Sequence, residues 1–160
     1  LLQSITGKCN RENRMIRTAS GFSLAVLVTY ISAVIFVSQW NIASVVQLGL
    51  PVGMGVRFAA AFHDLANMLG IYLPVIGIGL LIAFVVAWLL VKCLPKLPHI
   101  LYPLAGFVAL LTVHITLKLV FDVSAVAPTR HIAGLLSQAV AGGLGGYVFY
   151  RMLQPTDTDQ

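Results

Sequence analysis

His114, Lys118 and Asp122 stand at i, i+4 and i+8, a spacing that stacks an imidazole, an amine and a carboxylate along one face of a helix. Such a trio can pair a base with an acid and exchange protons near neutral pH. His63 and Asn67 form a second turn-spaced pair beside Asp64, and Arg57, Arg130 and His131 add further cationic or protonatable groups. Of the five acidic residues, only Asp64 and Asp122 lie away from the chain ends. They are therefore the carboxylates available to Arg57, Lys118 and Arg130. The candidate polar site comprises His63, Asp64, Asn67, His114, Lys118, Asp122, Arg130 and His131.

Each member also has a plainer reading. Lys118 sits about three residues, or roughly 5 Å, from the expected end of its helix, so its ammonium can snorkel to the headgroups with no further role. A neutral imidazole at His114 is cheap to bury once it is hydrogen-bonded. Four histidines raise the question of haem, which needs two rings facing each other at matched depth. Only His114 falls well inside a span; His99 lies toward the opposite side, and His63 and His131 sit at helix ends. No cofactor is predicted, a haem held by His63 and His114 being the least unfavourable arrangement. Cys9 and Cys93 lack zinc-like or redox spacing, and Lys8 occupies the position before Cys9 where a lipid-anchor signal needs a small residue. No phosphate-binding loop, zinc-protease helix or nucleophile elbow is present, so no catalytic residue is assigned and the chain is read as leaning away from enzymes.

The elements that must carry these residues follow from composition. Of 160 residues, 59% are hydrophobic and 9% charged, against about a quarter charged in a soluble domain. A helix needs about 20 apolar residues to cross the hydrocarbon core. The chain accommodates four such spans, over about 18–40, 65–91, 99–121 and 130–150, in a single membrane domain covering 1–160. The expected fold is an all-α integral membrane protein, a bundle of four transmembrane helices with an interfacial or re-entrant segment between helices 1 and 2. That segment, 41–62, is broken by Gly49, Pro51, Gly53 and Gly55. Pro74 removes a backbone hydrogen bond in the second span and predicts a kink near Gly70. In the fourth span Ala139, Gly142, Gly143, Gly145 and Gly146 form small-xxx-small pairs that allow close helix approach, read first as packing within the bundle and second as a homodimer face. A polar tail, 154–160, follows.

Arg11, Arg14 and Arg17 before an apolar run resemble the start of a signal peptide, but no small-x-small cleavage site follows, so the run is expected to remain as the first span. Met15 is an alternative start to Leu1. Lys8, Arg11, Arg14, Arg17, Lys92, Lys96 and Arg151 fall on one side of the four spans, and only Arg57 and Arg130 on the other. The positive-inside rule then places both termini in the cytoplasm, as in a bacterial inner membrane. The net charge of +5 is spread along the chain without aromatic interleaving, so no nucleic-acid partner is expected. The expected partners are the bilayer and either another membrane protein or a second copy. The leading functional expectation is a non-catalytic accessory or assembly subunit of a larger membrane complex. The alternatives are an oligomeric small channel or carrier using Asp64, His114, Lys118 and Asp122, and a membrane enzyme acting on a lipid or quinone at the outer leaflet.

Overall fold

The computed structural model describes residues 2–121 and 132–154, and among these every regular element is an α-helix. The helices are α1 (Leu2–Gln47), α2 (Met54–Asn67), α3 (Leu69–Cys93), α4 (Pro98–Phe121) and α5 (Ile132–Leu153). Four stretches are long and apolar enough to cross a bilayer, Glu12–Gln47, Leu69–Cys93, Pro98–Leu117 and Ile132–Leu153. The protein is an all-α integral membrane protein whose four spanning helices form one bundle.

The segment after the first span is more regular than its glycines suggest. Residues 41–47 contain no glycine or proline, and α1 continues through them to Gln47. The helix stops at Gly49, whose φ of 84° is a left-handed conformation that suits glycine. Only 48–53 are non-helical. Gly53, in extended backbone, then opens α2, a helix with no fully buried residue. Its Arg57, Asp64 and Leu65 are partly covered, whereas Phe58 and Phe62 are exposed. Between α2 and α3 the chain bends at Met68, two residues before Gly70. The bend keeps helical torsions and the bond from Met68 N–H to Asp64 O (2.9 Å), so the two helices form one bent rod.

Pro95 and Pro98 confine the turn between α3 and α4 to Leu94–Leu97. Pro98 takes the first position of α4, where its missing N–H leaves no helical bond unmade. At this end of the bundle Arg17 donates to the carbonyl of Leu153, and the rings of His99 and Tyr150 lie 6.4 Å apart. The starts of the α1 and α4 spans thus meet the ends of α3 and α5. Lys92 lies over the Trp88 ring, 3.5 Å from its centroid. With Arg14, Arg17, Lys96 and Arg151 nearby in the topology, this is the basic end.

The fourth-span glycines face inward on two sides. Gly142 and Gly106 meet backbone to backbone, so that a methyl group on either would overlap the other's carbonyl. Gly146 presses on the Tyr102 carbonyl of α4, and Gly145 faces Ala25 and Thr29 of α1. Ala139 is buried, while Gly143 lies in ordinary contact range of Pro103 and Phe107. Next to this seam, Phe84 of α3 stacks on Phe149 at 4.4 Å between centroids. Tyr102 and Phe22 meet that pair edge-on. The half of the bundle toward the basic end is thus closed by glycine contacts and an aromatic cluster.

Candidate functional site

Toward the other end the core changes character. His114 lies 16 residues after Pro98 on α4, roughly 24 Å along a helix in a hydrocarbon layer about 30 Å thick. Gln138 of α5, 15 residues before Leu153, comes to the same level. Tyr72 of α3 completes the group just past the bend at Met68. All three are buried, Gln138 completely, with exposures of 4% for His114 and 7% for Tyr72.

The polar atoms of this group are linked in series. Tyr72 Oη lies 2.9 Å from Gln138 Oε1, to which it donates, and 3.1 Å from His114 Nε2. Gln138 Nε2 donates to the Ala33 carbonyl of α1 at 3.1 Å. His114 Nδ1 lies 2.8 Å from the Leu110 carbonyl one turn earlier. A carbonyl only accepts, so Nδ1 carries a hydrogen, and the network assigns this tautomer. Four helices thereby converge on three side chains. Tyr30 of α1 joins from the side, its ring 6.3 Å from that of Tyr72 and its hydroxyl donating to the Leu65 carbonyl of α2. Thr29 and Ser38 of α1 are also buried, and among the described residues neither hydroxyl has a hydrogen-bond partner.

Of the residues singled out by sequence, His114 is drawn into this core. His63 is instead exposed on α2, with Nδ1 3.9 Å from Asp64 Oδ1. Asn67 donates to the His63 carbonyl at 2.8 Å, a local turn contact. Arg57 reaches Gln39 of α1 at 3.4 Å. The Lys118 side chain, and Asp122, Arg130 and His131, lie outside the described residues. Both ring nitrogens of His114 are engaged within the core while His63 faces outward, so these two do not form a facing pair. Among the described residues no group of three His, Cys, Asp or Glu side chains is placed to hold a metal.

Sequence reading missed Tyr72 and Gln138. Gln138 carried a usable signal, because an amide in the middle of a span must find partners in the protein. Tyr72 carried none, since a tyrosine near a helix start reads equally well as an interfacial anchor.

A wide concavity lies elsewhere. It is a groove of about 550 Å³ between α3 and α4, floored by Gly79, Ala83 and Ala87 of α3 and by Ala105, Ala109 and Thr112 of α4. It opens sideways between Ile82, Val86, Leu104 and Val108, which are about half exposed or more. His114, Tyr72 and Gln138 do not line it, and neither does any ionisable side chain.

No family model matches the chain, and no similar curated protein or solved structure was found. Function is therefore read from the chain's own geometry.

Proposed function

We propose that this protein is a non-catalytic subunit or assembly factor of a larger complex in a bacterial inner membrane, with both termini in the cytoplasm, and that its α3–α4 groove receives a transmembrane helix of the partner. The groove is the observation that carries this reading. From Val75 to Leu90 its α3 wall runs 15 residues, about 22 Å. One leaflet of a 30 Å hydrocarbon core is only about 15 Å deep. A groove of that length is better matched to a helix crossing both leaflets than to one acyl chain. Its floor of glycine and alanine permits the close backbone approach that holds helices together where no hydrophobic force acts between them. The orientation rests on Lys8, Arg11, Arg14, Arg17, Lys92, Lys96 and Arg151, seven of the ten lysines and arginines, at the basic end.

Two competing functions fit less well. A carrier needs a cavity that admits its cargo beside His114, which is 4% exposed and does not line the α3–α4 groove. An enzyme acting on a lipid or quinone needs a lateral opening beside carboxylates, and the lateral opening here has none. The test is a photo-crosslinker placed at Ala83 or Ala105 of the full chain in native membranes, with Leu24 on the outer face of α1 as control. The expected result is a stoichiometric cross-link to one membrane protein from the groove positions only, with the Ala105 cross-link lost in Ala83→Leu. Cross-links to a second copy of this chain would replace the hetero-complex by a homo-oligomer, and cross-links to lipid alone would overturn the proposal.

A further inference from the structure

Tyr72 stands between two acceptors with one hydrogen to give. Neither acceptor can turn away. The Gln138 amide is oriented by its bond to the Ala33 carbonyl, and flipping it would set oxygen against oxygen. The His114 ring is oriented by the Leu110 carbonyl, which needs the hydrogen on Nδ1. A neutral imidazole then presents a bare lone pair at Nε2. The phenol can serve that lone pair or the amide oxygen, but not both. A buried acceptor left unserved is unfavourable.

One added proton removes the conflict. With hydrogen on both ring nitrogens, Nδ1–H donates to Leu110 O, Nε2–H donates to Tyr72 Oη, the phenol donates to Gln138 Oε1, and the amide donates to Ala33 O. Each of these groups then donates to an acceptor, in one direction, across α4, α3, α5 and α1. We propose that the Tyr72–His114–Gln138 cluster is a proton-binding site, in which His114 Nε2 takes a proton from the aqueous phase and Tyr72 Oη holds the resulting imidazolium. This goes beyond the subunit role proposed above and does not depend on it.

The surroundings define what the cation would meet. From α3 it faces the Tyr72 phenol, and from α5 the amide of Gln138 with no ionisable group. From α1 the nearest titratable side chain is Tyr30, behind Tyr72. From α2, Asp64 and His63 lie beyond the bend, Nδ1 and Oδ1 3.9 Å apart. On α4 itself Lys118 follows one turn later, its side chain outside the described residues. Among the described contacts of the imidazole there is no carboxylate. Among those contacts the Tyr72 oxygen, 3.1 Å from Nε2, is the acceptor placed to hold the charge.

The test uses the full chain labelled with ¹⁵N-histidine, in nanodiscs, with the His114 signals identified by their loss in His114→Gln. Nitrogen chemical shifts report which ring nitrogens carry hydrogen. At about pH 8 the expected state is neutral with hydrogen on Nδ1. On acidification to about pH 5, the range in which histidine titrates, both nitrogens become protonated with helix content unchanged. Tyr72→Phe removes the holding oxygen and is expected to lower the midpoint by a factor of about ten or more in proton affinity. Gln138→Leu frees the phenol to serve the neutral lone pair and lowers it in the same direction. A neutral ring with hydrogen on Nε2, a ring that stays neutral across this range, or a midpoint unmoved or raised in Tyr72→Phe overturns the proposal. If Tyr72→Phe fails to fold, the wild-type tautomer and titration together with Gln138→Leu decide.

Discussion

From Gly21 to Thr29, α1 meets α5 through glycine and aromatic surfaces; from Tyr30 to Ser38 it meets the same bundle where phenol, amide and imidazole groups are linked. Both stretches lie in hydrocarbon, where helices gain nothing by hiding apolar surface from one another. The first solves that problem by distance, the second by hydrogen bonds. Backbone contact at Gly106 and Gly142 maximises dispersion and leaves no slack. The Tyr72–His114–Gln138 group spans wider gaps with side chains, tolerates adjustment, and carries a group that can change charge. The comparison predicts that substitutions near the basic end act through volume and those near the other end through chemistry.

The largest effect is expected at the closest approach. Gly142→Val places two methyl groups where the Gly106 carbonyl lies, and neither backbone can move without parting α4 from α5. The expected loss is at or above the roughly 3 kcal/mol upper end of ordinary overpacking, read as a shifted midpoint in reversible unfolding from mixed micelles. Wild-type stability in this variant would show that the seam is looser than its geometry.

A smaller effect is expected in the polar half. Tyr72→Phe and Gln138→Leu should each destabilise by about 1 kcal/mol, in line with hydrogen bonds between membrane helices, which average about 0.6 and reach about 1.7 kcal/mol. Because the two side chains share one bond, their effects should not add. In a double-mutant cycle the pair should cost less than the sum of the singles. Additive losses would mean that each side chain stabilises by packing alone, and the contrast between the two halves would fail.

How much of this was legible in the sequence differs between the halves for the same physical reason. Spans follow from runs of apolar residues, which need no knowledge of neighbours, and three of the four spanning helices end within a few residues of the hydropathy limits. The end of α1 was misplaced because the breakers Gly49, Pro51, Gly53 and Gly55 suggest an interruption of the whole of 41–62, although the helix runs on until Gly49 stops it. The glycines of α5 signalled close approach, but which faced α4 and which faced α1 depends on helix rotation, which a single sequence leaves open. His114 was visible as a costly residue in a span. Its partners were not, because Tyr72 lies 42 residues from His114 and 66 from Gln138 along the chain, and no periodicity links separate helices. The reading that grouped His114 with Lys118 and Asp122 followed helix spacing, whereas the imidazole turns to α3 and α5.

The smallest effect separates glycines that fit a neighbour from glycines that fit only themselves. Nothing lies within 4 Å of a Cβ built on Gly70, and its φ is not positive. It precedes Pro74 by one turn, where the proline ring crowds its carbonyl. If the bend at Met68 arises from the proline and the junction alone, Gly70→Ala should stabilise the protein by up to about 1 kcal/mol, through lower backbone entropy in the unfolded chain and better helix propensity. Gly49→Ala, at φ 84°, should do the opposite by a similar amount, since its backbone conformation disfavours a side chain. A loss of stability in Gly70→Ala would instead make glycine's freedom part of the hinge that carries Tyr72 into the core. The polar half would then depend on backbone as well as on hydrogen bonds.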